Sequence, residues 1–176
     1  ALSPTGTKKF HVPMKFAQFY AGKSHKFEPD PEVTDFAIGY RSAARARKAD
    51  AFLALAEIEK INDFQKSAAL EQAASYSRKE AGPIVELIPV EVVKKTAQMQ
   101  HLLIQGKAPE VISQFANEDI TQWPFWKRGD GYRNRGRAYY ITKDGAKAET
   151  DLSKALPWTS DPGARGATLL MLAQNR

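Results

Sequence analysis

The chain has 176 residues and a formal net charge of +6, and its hydrophobic (43%) and charged (26%) fractions are ordinary for a globular protein. It contains no cysteine, which excludes disulfides, thiolate metal sites and a cysteine nucleophile. No apolar run approaches the roughly 18 residues that a membrane-spanning helix requires. The chain begins at Ala1 rather than at a methionine, and we interpret this start as a processing site or as a boundary within a longer protein.

The N-terminal residues differ in composition from the rest. Residues 1–31 hold four of the ten prolines and two of the three histidines. Aromatic side chains such as Phe16, Phe19 and Tyr20 would be costly to leave in water. The composition therefore predicts an N-terminal arm over 1–31 that packs on the body of the protein, followed by a domain of helical hairpins over 32–176.

From Pro31 onward, apolar residues recur at spacings of three and four, which predicts a first helix to about Lys48. Three helical hairpins are then expected at roughly 48–81, 92–118 and 129–157, with a last helix over 163–176. Gly82 and Pro83 are expected to stop the helix before them. Residues 84–93 are rich in β-branched side chains but contain Pro89, so strand and helix both stay open, and a turn leading into a helix is the more economical interpretation.

The most informative stretch is 129–162, which has the spacing of a helix–turn–helix unit of 34 residues. A polar turn at 142–145 separates two predicted helices, and Pro162 closes the unit. The large and small residues that would meet between the two helices are Tyr132, Gly136, Tyr139, Ala148, Leu152 and Ala155. Before this unit lies a connector over 117–125, in which Trp123 and Phe125 are expected to act as apolar plugs.

This unit resembles a tetratricopeptide repeat, in which small residues at three of these positions let helices approach closely. It departs from the pattern at Arg135, where leucine is usual, and at Ser160, where proline is usual. The resemblance implies an all-α fold of antiparallel helical hairpins stacked as a short α-solenoid, because a single hairpin cannot bury its own apolar face.

The resemblance also implies a binding groove lined by the first helix of each unit. In the unit over 129–162 the groove positions are Asp130, Arg133, Arg137, Tyr140 and Ile141. The equivalent positions of the preceding hairpin are Val93, Thr96, Gln100, Leu103 and Ile104, which are mostly apolar. Arg133 and Arg137 are one helical turn apart, so both guanidinium groups could reach one carboxylate or phosphate. The candidate partner-binding residues are therefore Arg133, Arg137, Tyr140 and Ile141, and the expected ligand is an acidic protein or peptide segment. More specifically, we predict a groove that is basic at the unit over 129–162 and apolar at the preceding hairpin.

Marks of catalysis are missing from the sequence. The three histidines are far apart and belong to no ligand motif, and neither a nucleophile elbow nor a phosphate-binding loop is present. We therefore expect no catalytic residue, no metal and no cofactor, and predict a non-catalytic domain for protein–protein interaction or scaffolding.

Two other functions stay open at this point. The chain could be an accessory helical domain of a larger enzyme, for instance a secreted one, and a large exposed apolar patch would favour that reading. It could instead bind nucleic acid, because this part of the chain mixes aromatic and basic residues, namely Trp123, Phe125, Trp126, Arg128, Tyr132 and Arg133. The arginines could also do no more than solvate an exposed helix face.

Overall fold

The computed structural model describes residues 31–46 and 48–175, and these two stretches form nine α-helices and three 3-10 helices, without a strand. The prediction of an all-α fold is confirmed for this part of the chain. The chain divides into two compact units, one ending at Lys94 and the other beginning at Lys95. The predicted N-terminal arm lies outside the described residues, except for Pro31.

The first unit contains four helices and the beginning of a fifth. They are α1 (Pro31–Ala46), α2 (Ala49–Ala56), α3 (Asp63–Ser77), α4 (Gly82–Glu86) and α5 (Glu91–Ile104), with a 3-10 turn at Arg78–Glu80. Helix α2 packs against both α1 and α3, and α3 packs against α4. The ring of Phe52, only 1% exposed, lies in an edge-to-face contact with Tyr40 at 5.1 Å and stacks on Tyr76 at 5.8 Å. Such aromatic pairs add to the burial energy that holds the three helices together.

The connection before α5 differs in part from the sequence-based expectation. Helix α3 ends at Ser77, and Gly82 and Pro83 begin α4 instead of stopping a helix. The reason is that proline fits the first turn of a helix, where its missing N–H has no intrahelical partner. Residues 84–93 contain the end of this short helix, a turn and the start of α5, in agreement with the interpretation of a turn leading into a helix.

The second unit contains the rest of α5 and four further helices. They are α6 (Ala108–Phe115), α7 (Phe125–Ile141), α8 (Gly145–Ala155) and α9 (Pro162–Gln174), with 3-10 turns at Ile120–Gln122 and Leu156–Trp158. Helix α7 packs against α6, α8 and α9, and α8 also packs against α9. This unit therefore has α7 at its centre.

The six positions that carry the repeat pattern are all buried in this unit. A Cβ placed on Gly136 would lie 2.9 Å from Cγ of Leu152, so α7 and α8 approach to a distance that excludes a larger residue. Lys143 takes a positive φ of 65° in the connecting turn, and the Asp144 N–H donates to the Tyr139 carbonyl at 3.0 Å. This hydrogen bond satisfies one of the backbone carbonyls at the C-terminal end of α7 before α8 begins.

Helix α7 begins at Phe125, one turn before the predicted start of the repeat. Phe125 is 68% exposed, so its predicted role as an apolar plug is wrong: it lies in the first helical turn, on a side that no other described helix covers. Trp123 is buried as predicted, and its ring lies where a Cβ on Gly131 would be only 2.5 Å away.

Candidate partner-binding surface

The four predicted partner-binding residues lie on one side of α7. Arg133, Arg137 and Tyr140 fall within about 60° of arc on an ideal helix, and Ile141 lies about 40° beyond Arg137. Arg137 and Ile141 are exposed, whereas Arg133 and Tyr140 are half-buried. The structure thus brings the four side chains into one line, which we call the α7 stripe.

Arg133 is already engaged by a carboxylate of its own helix. Its Nη2 lies 2.9 Å from Oδ1 of Asp130, and Nζ of Lys127 lies 3.2 Å from the other oxygen of the same carboxylate. Asp130 is the fifth predicted groove residue, and it lowers the positive potential at this end of the stripe. Because Arg133 and Asp130 remain partly exposed to water, their ion pair is weak and open to competition.

Arg137 is the strongest candidate for contact with an anion. It lies one turn beyond Arg133, its side chain is exposed, and it forms no ion pair within the described part of the chain. A guanidinium group in this state offers five N–H donors with a geometry that suits a carboxylate.

The C-terminal end of the stripe is shaped by α9. The Tyr140 hydroxyl donates to Oε1 of Gln174 at 2.9 Å, and Nζ of Lys143 lies 5.7 Å from the centre of the Tyr140 ring. Ile141 is 43% exposed beside them. This end therefore combines an apolar surface with polar groups from two helices.

Three of the five residues expected on α5 at the apolar end of the predicted groove are buried. Val93, Thr96 and Leu103 are between 2% and 5% exposed, so they belong to the interior. The Asn134 side chain of α7 donates to the Thr96 carbonyl at 3.4 Å, so Asn134 lies next to this residue of α5. The prediction is wrong for these three residues because removing apolar side chains from water is favourable, so this side of α5 faces the interior instead of lining a groove.

Arg135 has a structural role that sequence reasoning noticed only as a departure from the repeat pattern. Its guanidinium forms two bonds to the buried carboxylate of Asp151, at 2.7 and 3.1 Å. It also donates to carbonyls at the C-terminal end of α6 and just beyond it, namely those of Phe115, Ala116 and Glu118, at 2.8–3.4 Å. A cation at the C-terminal end of a helix is favourable, because the carbonyls there carry partial negative charge. Arg135 thereby ties α6, α7 and α8 together.

The connector between α6 and α7 is held by a second carboxylate. Oε1 of Glu118 accepts from Nζ of Lys95 at 2.7 Å and from the Trp123 indole N–H at 3.0 Å. These two hydrogen bonds hold the pKa of the Glu118 carboxyl below its usual range, against the smaller opposing effect of burial. The indole bond explains how Trp123 can be buried without leaving its N–H unsatisfied.

The aromatic and basic residues considered for nucleic-acid stacking divide into two groups. Trp123 and Tyr132 are buried, and their position is explained by packing between helices. Phe125 and Trp126 are exposed. Sequence reasoning did not select Trp158, which is 44% exposed. The centre of its ring lies 5.4 Å from Cζ of Arg128. No sequence pattern marks this pair, since Arg128 and Trp158 are brought together only by the packing of the chain after α8 against α7.

Two other kinds of site are missing from the part of the chain that the structure describes. Among the residues that the structure describes, no group of three or more histidine, aspartate or glutamate side chains could hold a metal ion. None of the described helices is both long enough and apolar enough to cross a membrane.

Comparison of the chain with protein-family models, with curated proteins and with solved structures finds no match. The resemblance to tetratricopeptide repeats therefore stays a prediction that depends on the residues of 129–162.

Proposed function

We propose that this protein is a non-catalytic interaction domain that binds an acidic peptide segment of a partner protein along the α7 stripe. The observation that carries the proposal is the exposed guanidinium of Arg137, which lacks an ion pair within the described residues and stands in line with Arg133, Tyr140 and Ile141. A carboxylate of the partner would bind at Arg137, while Tyr140 and Ile141 would contact an adjacent apolar side chain.

The fold proposed for this function is a short stack of antiparallel helical hairpins of tetratricopeptide type. Three observations on the second unit support it. Packing joins α6 to α7, α7 to α8 and α8 to α9, α9 reaches back to α7, and the six pattern positions are buried. In such a stack the first helices of successive hairpins share one concave side, and α7 would present its stripe there.

An array of ten-residue peptides tests the proposed function. Every peptide carries glutamate at two fixed positions, i and i+2. Each of the other positions is substituted in turn while the rest of the peptide stays the same. Binding of the fluorescein-labelled best peptide is then measured by fluorescence anisotropy. Reversing the charge of Arg137 (Arg137→Glu) is expected to weaken binding by about ten-fold or more, because a like charge would face the peptide carboxylates.

The matched control is Arg165→Glu, which makes the same charge change at an exposed position on α9, away from the stripe. Equal losses for the two variants would show a non-specific charge effect and would contradict the proposal. The same conclusion would follow if no peptide in the array bound in a way that depends on its glutamates.

Asp130 is expected to act as an internal competitor of the acidic ligand. Replacing it with asparagine removes the carboxylate that pairs with Arg133 and Lys127. We expect Asp130→Asn to raise the affinity for the acidic peptide by about three-fold, since a half-exposed ion pair contributes on the order of 1 kcal/mol or less. Anisotropy measurements on folded protein check this, and an unchanged or lower affinity would show that Arg133 does not contact the ligand.

One observation favours the second candidate function, an accessory domain that packs on a larger enzyme. Leu169 and Leu170 of α9 are 48% and 58% exposed. Neighbouring large apolar side chains are typical of a surface that another domain covers. We expect this surface to bind an apolar dye such as ANS, and Leu169→Ser with Leu170→Ser to remove that binding without affecting the acidic peptide. Dye fluorescence that is the same for both proteins would exclude this apolar surface as the docking site.

A further inference from the structure

The exposed side of α7 continues toward the start of the helix, beyond the predicted residues. Trp126 falls inside the same 60° of arc as Arg133, Arg137 and Tyr140, because it precedes them by seven, eleven and fourteen residues. Its side chain is 44% exposed. The structure therefore places a large aromatic surface in line with the α7 stripe, two turns before Arg133.

The charged residues between Trp126 and the arginines connect the two parts of this line. Nζ of Lys127 lies 6.0 Å from the centre of the Trp126 ring and also pairs with Asp130, which in turn pairs with Arg133. Trp126 is thus adjacent to a basic network, and a ligand that reaches it with an apolar side chain would keep its carboxylates near Arg133 and Arg137.

Helix geometry gives the size of the ligand. At 1.5 Å of rise per residue, Trp126 and Arg133 are separated by about 10 Å along the axis, and Arg137 and Ile141 follow at steps of about 6 Å. An extended peptide advances by about 3.3 Å per residue. The line from Trp126 to Ile141 therefore matches an extended segment of about seven or eight residues.

We infer that Trp126 is the apolar anchor at one end of this surface, and that the partner segment carries an apolar side chain three to four residues from a pair of acidic residues. A second apolar side chain beyond the acidic pair would contact Tyr140 and Ile141. This inference rests on the proposed function and adds to it a ligand pattern, a length and a further binding residue. Exposed tryptophans that become covered are among the residues that contribute most to the affinity of protein interfaces.

The same peptide array tests the inference. The comparison is between peptides that differ only at the position three to four residues from the glutamate pair, on either side. The wild-type protein is expected to prefer leucine or an aromatic residue there over serine. In Trp126→Ala this preference is expected to disappear, with a loss of about ten-fold for the peptide that carries the apolar residue and little change for the peptide that carries serine.

Phe125→Ala is the matched control, because Phe125 is the adjacent exposed aromatic residue but lies about 60° or more outside the arc of the stripe. A glutamate-dependent array that shows no apolar preference, or a preference that survives in Trp126→Ala, would overturn the role of Trp126 and leave the proposed function intact. If the apolar preference were lost in Phe125→Ala and kept in Trp126→Ala, the anchor would be Phe125, and the role of Trp126 would again be overturned. An array without glutamate dependence would overturn both the inference and the proposed function.

Discussion

Arg135 departs from the repeat pattern, and the structure shows how the fold accommodates it. Leucine is usual at this position of the repeat, and the sequence alone makes Arg135 look like a flaw. In the structure its guanidinium is satisfied by Asp151 and by three carbonyls, and the side chain of Asp151 is only 6% exposed. The buried carboxylate and the largely buried guanidinium therefore form a hydrogen-bonded pair, which is the arrangement that burial of charge requires.

Restoring the usual leucine should destabilise this protein. Arg135→Leu would leave the Asp151 carboxylate buried without its counter-charge, and we expect a loss of about 3 kcal/mol in the free energy of unfolding, measured by urea denaturation. Adding Asp151→Leu to Arg135→Leu is expected to recover much of this loss, because the unpaired charge is then gone. A double variant that is less stable than the single variant would show that packing, and not charge, dominates at this site.

Glu118 gives the second unit a sensitivity to acid. Its hydrogen bonds to Lys95 and Trp123 depress the pKa of the carboxyl in the folded state. The stability that it contributes is thus present above its unfolded pKa of about 4.3 and is lost as the pH falls through the lower folded pKa. We expect Glu118→Gln to be less stable than the wild type at pH 7, and the difference to shrink as the pH is lowered below about 4.3. Thermal unfolding at a series of pH values checks this, and a difference that does not change with pH would contradict it.

Glycines of helix α7 let neighbouring segments approach its backbone closely. Cβ atoms at Gly129 and Gly136 would meet Trp158 and Leu152 at 2.9 Å, and one at Gly131 would meet the Trp123 ring at 2.5 Å. Glycine normally weakens a helix relative to alanine by roughly 1 kcal/mol. In α7 that cost is offset by the packing that the missing side chains allow, which keeps the helix at the centre of the second unit.

This contrast predicts opposite effects of the same substitution in two helices. Gly131→Ala is expected to lower the free energy of unfolding by about 1–3 kcal/mol, because the new methyl group overlaps the buried Trp123 ring. Gly166→Ala in α9 is expected to raise it by about 0.5–1 kcal/mol, because nothing lies within 4 Å of a Cβ at that position. Chemical denaturation of both variants provides the measurement. A stabilising Gly131→Ala would show that Trp123 moves away without cost.

At the scale of the whole molecule, the net charge of +6 favours acidic partners. If the ligand is an acidic peptide that makes two or three charge contacts, raising the NaCl concentration from about 50 to about 500 mM should weaken binding several-fold, because exposed charges are screened. A nucleic acid that neutralises many basic residues would lose affinity by orders of magnitude over the same range. Anisotropy titrations with the acidic peptide and with a single-stranded oligonucleotide separate the two. Tighter binding of the oligonucleotide at low salt would favour the nucleic-acid alternative.

The sequence by itself determined the helical character of the described residues and the buried positions of the unit at 129–162. Both follow from local chemistry: apolar spacing sets which side of a helix is buried, and glycine, proline and polar residues mark its ends. The same reasoning placed Arg133, Arg137, Tyr140 and Ile141 on one side of a helix, since a helix has a fixed number of residues per turn.

The tertiary structure alone decided what each side of a helix meets. It buried three of the five positions expected to line the groove on α5, exposed Phe125, and turned Arg135 from an exception into a link between three helices. It also brought Arg128 onto Trp158, thirty residues away in sequence. These outcomes depend on contacts between distant segments, and the spacing of residues along one helix contains no information about which segment will cover it.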